Sequence, residues 1–241
     1  MVYIINWRDV QPNIAHLSAV HWGGLRDRDG DDDPDPRHCL KRLQGFARHA
    51  LQGRKNSDYH KHENLEQVYY ILSGSGYVLF DKERFPVQEG DAVYLPSGIH
   101  HQMFNDASED WLEHHVISQR IAANSGEFAI RNWRDVPAMG DGAGAVRWHQ
   151  LGPVGEEEGV GFTQGLCCID REAVQPRGQT VERCCEELEQ VYYVLENSGV
   201  LEVDGEEQEI REGDMIHLPP GTRYAISNPH AEWLSYLIMA A

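Results

Sequence analysis

The stretch LEQVYY occurs twice in this chain, at residues 65–70 and again, 123 residues later, at residues 188–193. Other segments recur at the same or nearly the same offset: EGD at 89–91 and 212–214, LP at 95–96 and 218–219, and NWRDV at 6–10 and 132–136. A period of this length is far longer than the repeating unit of a solenoid. The repeat therefore predicts two copies of one domain, at residues 1–124 and 125–241.

Each copy is a series of short apolar runs separated by turn residues. Residues 67–72 and 190–195 are rich in Val, Tyr, Ile and Leu, which favour β-strands. Both runs are followed by a turn that contains glycine and then by a second apolar run. Apolar residues at helical spacing are scarce. The pattern is typical of antiparallel sandwiches and barrels, so the predicted fold class is all-β.

The composition argues against several classes of partner and location. The chain carries 39 acidic and 21 basic side chains, a formal net charge of −18, which is a poor match for nucleic acid or an anionic membrane. The sequence has no recognisable helix-turn-helix, signal peptide or apolar run of about 18 residues. Its five cysteines are an odd number and include two adjacent pairs. This does not suit a disulfide framework and favours a reducing, cytoplasmic location.

An acidic segment, DRDGDDDPD at residues 27–35, occurs in the first copy only. Its spacing does not fit a calcium-binding EF-hand loop, and the closing Glu is missing. We expect a solvated loop there.

The first copy also concentrates histidines at positions that suit a metal ion. His60 and His62 are two residues apart, so on a strand their side chains point to the same face. Two imidazoles on one face can share one metal ion. A third histidine, His101, follows a turn that contains proline and glycine.

These residues resemble the two signature motifs of the cupin superfamily. The first motif, G-x5-HxH-x3,4-E-x6-G, is matched by His60, His62 and Gly74, whereas its leading glycine, Gly53, is one residue out of step. The second, G-x5-P-x-G-x2-H-x3-N, is matched at every position, including His101. The resemblance implies a bicupin, which has two tandem antiparallel jelly-roll β-barrels. It also implies a divalent metal ion inside the first barrel, held by His60, His62, His101 and a fourth ligand.

The fourth ligand departs from the family pattern. Counting back from Gly74 gives Gln67 in place of the family's Glu, whereas counting from His62 allows either Glu66 or Gln67. We favour Gln67, which resembles some metal cupins that act on sugar-derived substrates. We expect Glu66 to point outward into solvent. Because Gln is neutral, the bound ion would keep its full charge and attract an anionic substrate.

The implied ligand set is His60, His62, Gln67 and His101, with coordination positions left open for substrate. Such a site is typical of catalysis rather than of a closed structural site. None of these ligands is soft, so the cofactor is predicted to be one divalent transition metal. Iron is favoured, and Mn, Ni, Zn, Cu and Co remain open.

Several other side chains are expected near the ion. Tyr69 shares the face of Gln67, which makes it a candidate proton donor or substrate-orienting hydroxyl, with core packing as the alternative. Met103 is expected to line the pocket and Asn105 to brace the turn. One residue of each pair His114/His115 and Arg48/His49 is a candidate to face the cavity.

The second copy has lost the histidines. At the offset of 123 residues, the four positions become Arg183, Cys185, Gln190 and Tyr224. We expect a structural partner barrel with a degenerate site. Two alternatives remain: a pocket in which Arg183 binds an anion, and a soft-metal site built from Cys185 with Cys168 or Cys184.

The leading functional hypothesis is a metal-dependent enzyme that acts on a small oxygenated organic substrate by dioxygenase-type chemistry. The resemblance to ring-cleaving and quercetinase-like bicupins favours this reaction. A non-redox sugar-acid isomerase or lyase, in which the metal is a Lewis acid, is the first alternative. A non-catalytic metal- or carbohydrate-binding bicupin is the second. The expected partner is a small molecule, without nucleic acid or membrane, and a homodimer is left open.

Overall fold

The chain folds into antiparallel β-sheets whose arrangement repeats in its two halves. A computed structural model describes residues 1–28, 33–124, 126–156 and 159–241. The centre of the acidic segment, residues 29–32, lies outside the described residues. So does residue 125, at which the predicted second copy begins.

The first half contributes eleven strands within the residues that are described. These strands are β1 (Tyr3–Asn6), β2 (Asn13–Ala15), β3 (Ala19–Arg26), β4 (Gly45–Leu51), β5 (Lys55–Asn56), β6 (Leu65–Ser73), β7 (Ser75–Phe80), β8 (Glu83–Gln88), β9 (Asp91–Leu95), β10 (His101–Asn105) and β11 (Leu112–Arg120).

The second half follows the same order. Its strands are β12 (Ala129–Asn132), β13 (Ala138–Gly140), β14 (Ala145–Pro153), β15 (Gly161–Thr163), β16 (Cys168–Val174), β17 (Arg183–Cys184), β18 (Gln190–Glu196), β19 (Ser198–Val203), β20 (Glu206–Arg211), β21 (Asp214–Leu218), β22 (Arg223–Ser227) and β23 (Leu234–Ala240). A single 3-10 turn follows the first strand of each half, at Trp7–Asp9 and Trp133–Asp135. Among the described residues, no helix has the length and apolar character needed to cross a membrane.

Each half pairs one large sheet with one four-stranded sheet. In the first half the orders are β12-β9-β6-β11-β4-β3-β2 and β5-β10-β7-β8. In the second half they are β1-β21-β18-β23-β16-β14-β13, with β15 on β14, and β17-β22-β19-β20. The predicted fold class, all-β with two tandem jelly-roll units, is confirmed.

The two halves exchange their first strands. β1 pairs with β21 of the second half, and Tyr3 lies opposite His217. In the same way β12 pairs with β9 of the first half, and Ala129 lies opposite Tyr94. The division at residues 1–124 and 125–241 stays a prediction. Sheet pairing assigns the leading strand of each predicted copy to the large sheet of the other half.

The repeated NWRDV segment holds each exchanged strand in place. Asn6 Nδ2 donates to Asp214 Oδ1 at 2.8 Å, and Asn132 Nδ2 donates to Asp91 Oδ1 at the same distance. Each Asn side chain also accepts the backbone N–H two residues later, which starts the 3-10 turn. The sequence repeat therefore marks an anchor between the halves as well as a turn.

Alternation along β6 divides its side chains between two apolar cores. Val68 and Tyr70 face the second half and share one buried cluster with residues such as Val191 and Tyr193. Tyr69 faces the interior of the first barrel. The face of β6 opposite the interdomain core therefore points into the barrel interior, where the candidate metal ligands lie.

Candidate metal centre

Three histidines of the first half bring ring nitrogens together in the barrel. Each of His60, His62 and His101 offers one ring nitrogen, and these three atoms lie within 4.8 Å of one another. Two backbone hydrogen bonds tie His60 to His101, at 3.2 Å and 2.8 Å. The carbonyl of His62 accepts the N–H of Gly98, whose φ of +83° closes the turn before β10. The predicted spacing of the motifs thus brings the three imidazoles to one place.

Hydrogen bonds determine which ring nitrogen of two of these histidines carries the proton. His60 Nδ1 donates to the carbonyl oxygen of Asp58 at 3.2 Å, and His101 Nδ1 donates to that of Ile99 at 3.3 Å. A carbonyl oxygen only accepts, so both Nδ1 atoms carry hydrogen. In the neutral rings, both Nε2 atoms are left with a free lone pair, which is the form that binds a metal ion.

Four buried atoms around this point have no hydrogen-bond partner among the residues that the structure describes. They are Nε2 of the three histidines and Oε1 of Gln67. The Gln67 amide nitrogen approaches Ser118 Oγ at 3.5 Å, which leaves Oε1 as the free acceptor, and Gln67 lines the same cavity as His62. Buried acceptors of this kind are costly unless a donor or cation satisfies them. The donor set, three imidazoles and one amide oxygen, fits a divalent transition metal.

Glu66, the other candidate for the fourth ligand, points away from the histidines. It is fully buried, and its carboxylate accepts the backbone N–H groups of Gln164, Gly165 and Leu166 at 2.7–2.8 Å and the hydroxyl of Tyr94 at 2.9 Å. The expectation that Glu66 points outward into solvent was wrong, because the second half covers that face. With both oxygens bound to the opposite half, Gln67 is the remaining candidate.

Tyr69 lies beside the histidines, as its place on β6 predicts. Its ring centre is 5.9 Å from that of His101 and 5.0 Å from that of His114. Burial, followed by the negative charge of Asp58, raises the pKa of the Tyr69 hydroxyl above its usual value. The hydroxyl therefore stays protonated at neutral pH and can donate a hydrogen bond. A catalytic role for Tyr69 stays a prediction.

In each of the two candidate pairs, on β4 and on β11, one side chain faces the barrel interior and the other faces the second half. His49 and His114 line the interior, whereas Arg48 and His115 face the second half. Arg48 donates to the hydroxyl of Tyr193 at 2.9 Å, and the ring centre of His115 is 4.1 Å from that of Tyr193. The interior wall is therefore formed by imidazoles rather than by a guanidinium.

Two further histidines of this wall, His16 and His21, were not identified as site residues by the sequence analysis. Their ring centres lie 5.3 Å and 4.8 Å from that of His49. A signal was present, because SAVHW at residues 18–22 recurs as GAVRW at 144–148, with His replaced by Arg as at position 60. Contact of this hairpin with the site depends on tertiary packing, which the repeat alone does not reveal.

Burial lowers the pKa of three imidazoles in the barrel interior, those of His101, His114 and His49. It lowers the pKa of His101 to about 3, with further lowering from His60 and His62. Burial also lowers the pKa of His114 to about 3, and the pKa of His49 is lowered by burial and by His114. These three neutral rings can accept and donate hydrogen bonds without repelling a cation.

A cavity of about 480 Å³ opens from this wall towards solvent. His62, Gln67 and His49 line this cavity together with Arg37 and His38. Arg37 pairs with Asp35 of the acidic segment and donates to the carbonyl of Gly23 at 3.0 Å. Asp27 of the acidic segment also lines the cavity, and the solvated loop stays a prediction because residues 29–32 lie outside the described residues.

Comparison with known proteins places the chain in a family. The cupin domain model matches residues 48–115 and 171–239, one region in each half. The chain is a cupin. Because both halves match, it is a bicupin.

Two curated relatives match only part of this bicupin. An oxalate-binding protein from Thermotoga maritima is 34% identical over 65 residues, which cover 27% of this chain and 54% of that protein. The uncharacterized protein MJ1618 of Methanocaldococcus jannaschii is 44% identical over 46 residues, covering 19% of this chain and 37% of that protein. The bicupin thus spans about half or less of the length of these relatives.

Solved structures match the bicupin along its whole length. The bacterial pirin YhhW of Escherichia coli, in complex with nickel(II), has a TM-score of 0.77 at 15% identity, covering 100% of this chain and 98% of its own. A mutant of Bacillus subtilis oxalate decarboxylase has a TM-score of 0.72 at 12% identity, covering 98% of this chain and 76% of its own. At these identities the likeness concerns the fold alone.

The second half of the bicupin places an ion pair where the first half has imidazoles. Arg183, at the position of His60, donates to both oxygens of Glu172 at 2.7 Å and 3.0 Å. Arg147 and Tyr236 also donate to this carboxylate, at 2.8 Å and 2.5 Å. The alternative that Arg183 forms a pocket for an anionic ligand was wrong, because its guanidinium is paired with the carboxylate of Glu172 in the same half.

The remaining ligand positions of the second half are satisfied internally. Gln190 Oε1 accepts the hydroxyl of Tyr224 at 3.1 Å, whereas Oε1 of the equivalent Gln67 has no such partner among the described residues. The Tyr224 hydroxyl also shares a hydrogen bond with Tyr192 at 2.6 Å. Cys185 belongs to no group of three potential metal ligands within the part of the chain that is described. These contacts favour a structural role for the second half.

Proposed function

We propose that the bicupin is a metal-dependent enzyme whose active site lies in the first barrel. The observation that carries the proposal is the set of four buried polar atoms on His60, His62, His101 and Gln67 that have no hydrogen-bond partner within the described part of the chain. Three of these atoms belong to imidazoles, and two of the rings are held with Nε2 deprotonated. A divalent ion bound there would act as a Lewis acid towards substrate oxygens and, if it were iron, could also bind O₂.

The substrate class that fits is a small oxygenated organic molecule with an anionic group. The cavity of about 480 Å³ has room for a small molecule. Because an amide is neutral and histidine binds a metal ion as the neutral imidazole, these ligands would not cancel the positive charge of the ion. The oxalate-binding relative from Thermotoga maritima supports a small acid as ligand.

The side chains beside the candidate ligands suit binding and proton placement. Tyr69 keeps its hydroxyl proton, and its ring centre lies 5.9 Å from that of His101 and 5.0 Å from that of His114, so it can donate to a substrate oxygen bound beside the histidines. The neutral ring of His49 offers a donor and an acceptor on the same wall. Gln67 cannot accept a proton, so it would hold position without acting as a base.

Dioxygenase-type chemistry is our first candidate for the reaction, because the nitrogen and oxygen donors with open positions suit a redox-active ion such as iron. The second candidate is a non-redox isomerisation or lyase reaction on a sugar acid. The neutral amide of Gln67 favours this second candidate, because it leaves the ion a stronger Lewis acid than a carboxylate ligand would.

Elemental analysis of the purified protein, with His62→Ala and Cys185→Ala as matched variants, tests the proposal. These residues occupy equivalent positions in the two halves. We expect a stoichiometric divalent metal that is lost in His62→Ala and retained in Cys185→Ala. Iron or copper with substrate-dependent oxygen uptake would support the dioxygenase, whereas zinc, nickel or manganese with turnover in the absence of O₂ would support the second candidate.

Two results would overturn the proposal. Metal retained in His62→Ala but lost in Cys185→Ala would show that the metal site lies in the second half and not in the first. If the unmodified protein bound no divalent metal after reconstitution, it would not be a metal-dependent enzyme, and a non-catalytic binding module would be the remaining hypothesis.

A further inference from the structure

His16 packs against a candidate metal ligand from a separate part of the chain. It lies in the turn between β2 and β3, and its ring stacks on that of His60 with centres 5.0 Å apart and an interplanar angle of 23°. Its Nδ1 donates to Asp58 Oδ1 at 2.8 Å. His16 also lines the cavity that contains His62 and Gln67. The hairpin therefore closes one side of the site.

The backbone at this turn is unfavourable for a residue with a side chain. His16 has φ of +47° and Leu17 has φ of +68°, both in the left-handed region that favours glycine. The equivalent of His16 in the second half is Gly142, with φ of +80°. The half without the histidine cluster thus uses glycine where the first half keeps a histidine in a strained conformation. Strain of this kind points to a role for the side chain.

Asp58 joins His16 to the candidate ligand His60. Its carbonyl oxygen accepts from His60 Nδ1 at 3.2 Å, and its carboxylate oxygen lies 3.3 Å from the same nitrogen. The equivalent of Asp58 in the second half is Val181, beside the Arg183 that replaces His60. The carboxylate, the stacked ring and the candidate ligand are therefore all absent from the second half.

We propose that Asp58 and His16 form a clamp that positions His60 for metal binding. The backbone carbonyl of Asp58 accepts the Nδ1–H of His60, and its carboxylate holds the ring of His16. That ring fixes the tilt of the His60 imidazole, so that Nε2 faces the other ligands. A carboxylate behind a ligating histidine also raises its basicity. The inference rests on the proposed function of His60 as a ligand. Asp58 and His16 are positioning residues, because they act through His60.

The two clamp residues and His60 do not make an independent cation site. His16, Asp58 and His60 each offer one ligand atom within 4.8 Å of the others. However, His60 Nδ1 carries hydrogen because it donates to a carbonyl, so it has no lone pair for a second ion. The cluster therefore serves the ion at Nε2.

Titration of metal-free protein with Ni²⁺ by calorimetry tests the clamp. We expect Asp58→Ala and His16→Gly each to weaken Ni²⁺ binding about 10- to 100-fold, the range seen when groups behind a ligand are removed. Asp58→Asn should retain more affinity than Asp58→Ala, because its side-chain oxygen can still accept from His16. Leu17→Gly is the matched control, because it changes the adjacent left-handed position and removes an exposed side chain only.

A second measurement uses the metal-free protein alone. In spectra of ¹⁵N-labelled histidine at alkaline pH, His16 should be the Nδ1–H tautomer in the unmodified protein and a mixture of tautomers in Asp58→Ala, which removes the side-chain oxygen that accepts from it. His60 should stay the Nδ1–H tautomer in both proteins, because the backbone carbonyl of residue 58 remains. Ni²⁺ affinities of folded Asp58→Ala and His16→Gly within about twofold of the unmodified protein would overturn the clamp. If the unmodified protein bound no Ni²⁺, the proposed function would fail. The clamp would then stand or fall on whether Asp58→Ala changes the tautomer of His16.

Discussion

The carboxylates of Glu66 and Glu189, at equivalent positions 123 residues apart, are exchanged between the two halves of the chain. Glu66 accepts the backbone N–H groups of residues 164–166, which belong to the second half. Glu189 accepts those of residues 41–43, which belong to the first half, at 2.8–3.2 Å. The repeated LEQVYY segment therefore carries a reciprocal link, which explains why Glu recurs in the half that has lost the histidines.

Removal of either carboxylate should destabilise the whole protein. We predict that Glu66→Ala and Glu189→Ala each lower the free energy of unfolding by about 3 kcal/mol or more, because buried N–H donors lose their acceptor. Urea unfolding at neutral pH measures the loss. Glu187→Ala, at an exposed position near Glu189, is the control and should change little. Glu66→Ala should retain its metal, and loss of metal from a folded Glu66→Ala protein would instead support Glu66 as the fourth ligand.

Acid should destabilise the contact between the halves through His115. Burial, followed by the charge of Arg48, lowers the pKa of His115 well below its usual 6.5. Since the folded state disfavours protonation, the stabilisation is complete above pH 6.5 and decreases as the pH falls below it, by about 1.4 kcal/mol per pH unit for one group. In His115→Phe, the difference in unfolding free energy between pH 7 and pH 5 should therefore be about 2 kcal/mol smaller.

His149 provides a control with the opposite sign. A hydrogen bond to Asp170 raises the pKa of His149 to about 9, against the effect of burial. Its stabilisation is complete below pH 6.5 and is lost as the pH rises through 9. His149→Gln should therefore alter mainly the alkaline side of the stability profile, and it should make the difference between pH 7 and pH 5 slightly larger, whereas His115→Phe makes it smaller. Equal acid sensitivity in His115→Phe and the unmodified protein would contradict the assignment to His115.

Local patterns allowed the histidine cluster to be predicted from the sequence, because short strands and a glycine turn place its members. His60 and His62 are separated by one residue, and Gly98 fixes the turn that returns His101 to them. Alternation along β6 was enough to place Tyr69 in the interior. In each case the geometry depends on a few neighbouring residues.

Contacts between distant segments were beyond the same reasoning. The pairing of β1 with β21 joins residues near the two ends of the described chain, and the burial of Glu66 depends on a loop about a hundred residues away. His16 reaches the site only through the packing of its hairpin on His60 and His49. A sequence repeat indicates that two segments are equivalent but does not reveal which of them exchange partners.

The identity of the fourth ligand can be tested by adding a charge at that position. Gln67→Glu should tighten divalent metal binding on the order of tenfold, because an anionic ligand attracts the cation more strongly than an amide does. Gln190→Glu is the matched control at the equivalent position of the second half, where Oε1 already accepts from Tyr224. Calorimetric titration with Ni²⁺ measures both affinities. Unchanged affinity in a folded Gln67→Glu protein would remove Gln67 from the ligand set.

The ion pair that replaces the histidines in the second half should stabilise that half as a unit. The side chains of Glu172 and Arg183 are only 1% and 13% exposed, so removing one partner leaves a charge buried without full compensation. Burial alone would raise the pKa of Glu172, but hydrogen bonds and charge from Arg183 and Arg147 lower it below its usual value. We predict that Glu172→Gln and Arg183→Met each lower the free energy of unfolding by about 3–5 kcal/mol.

A double-mutant cycle separates this pairing from simple loss of packing. The combined Glu172→Gln, Arg183→Met variant should lose clearly less stability than the sum of the losses in the two single variants. Each single change already removes the same interaction between the two charges, so the sum counts that interaction twice. The pair formed by Glu182 and Arg223 at the surface of the same half is the control. Its coupling should be much weaker, since solvent screens both groups. Additive losses at Glu172 and Arg183 would mean that the guanidinium fills space there without stabilising the carboxylate.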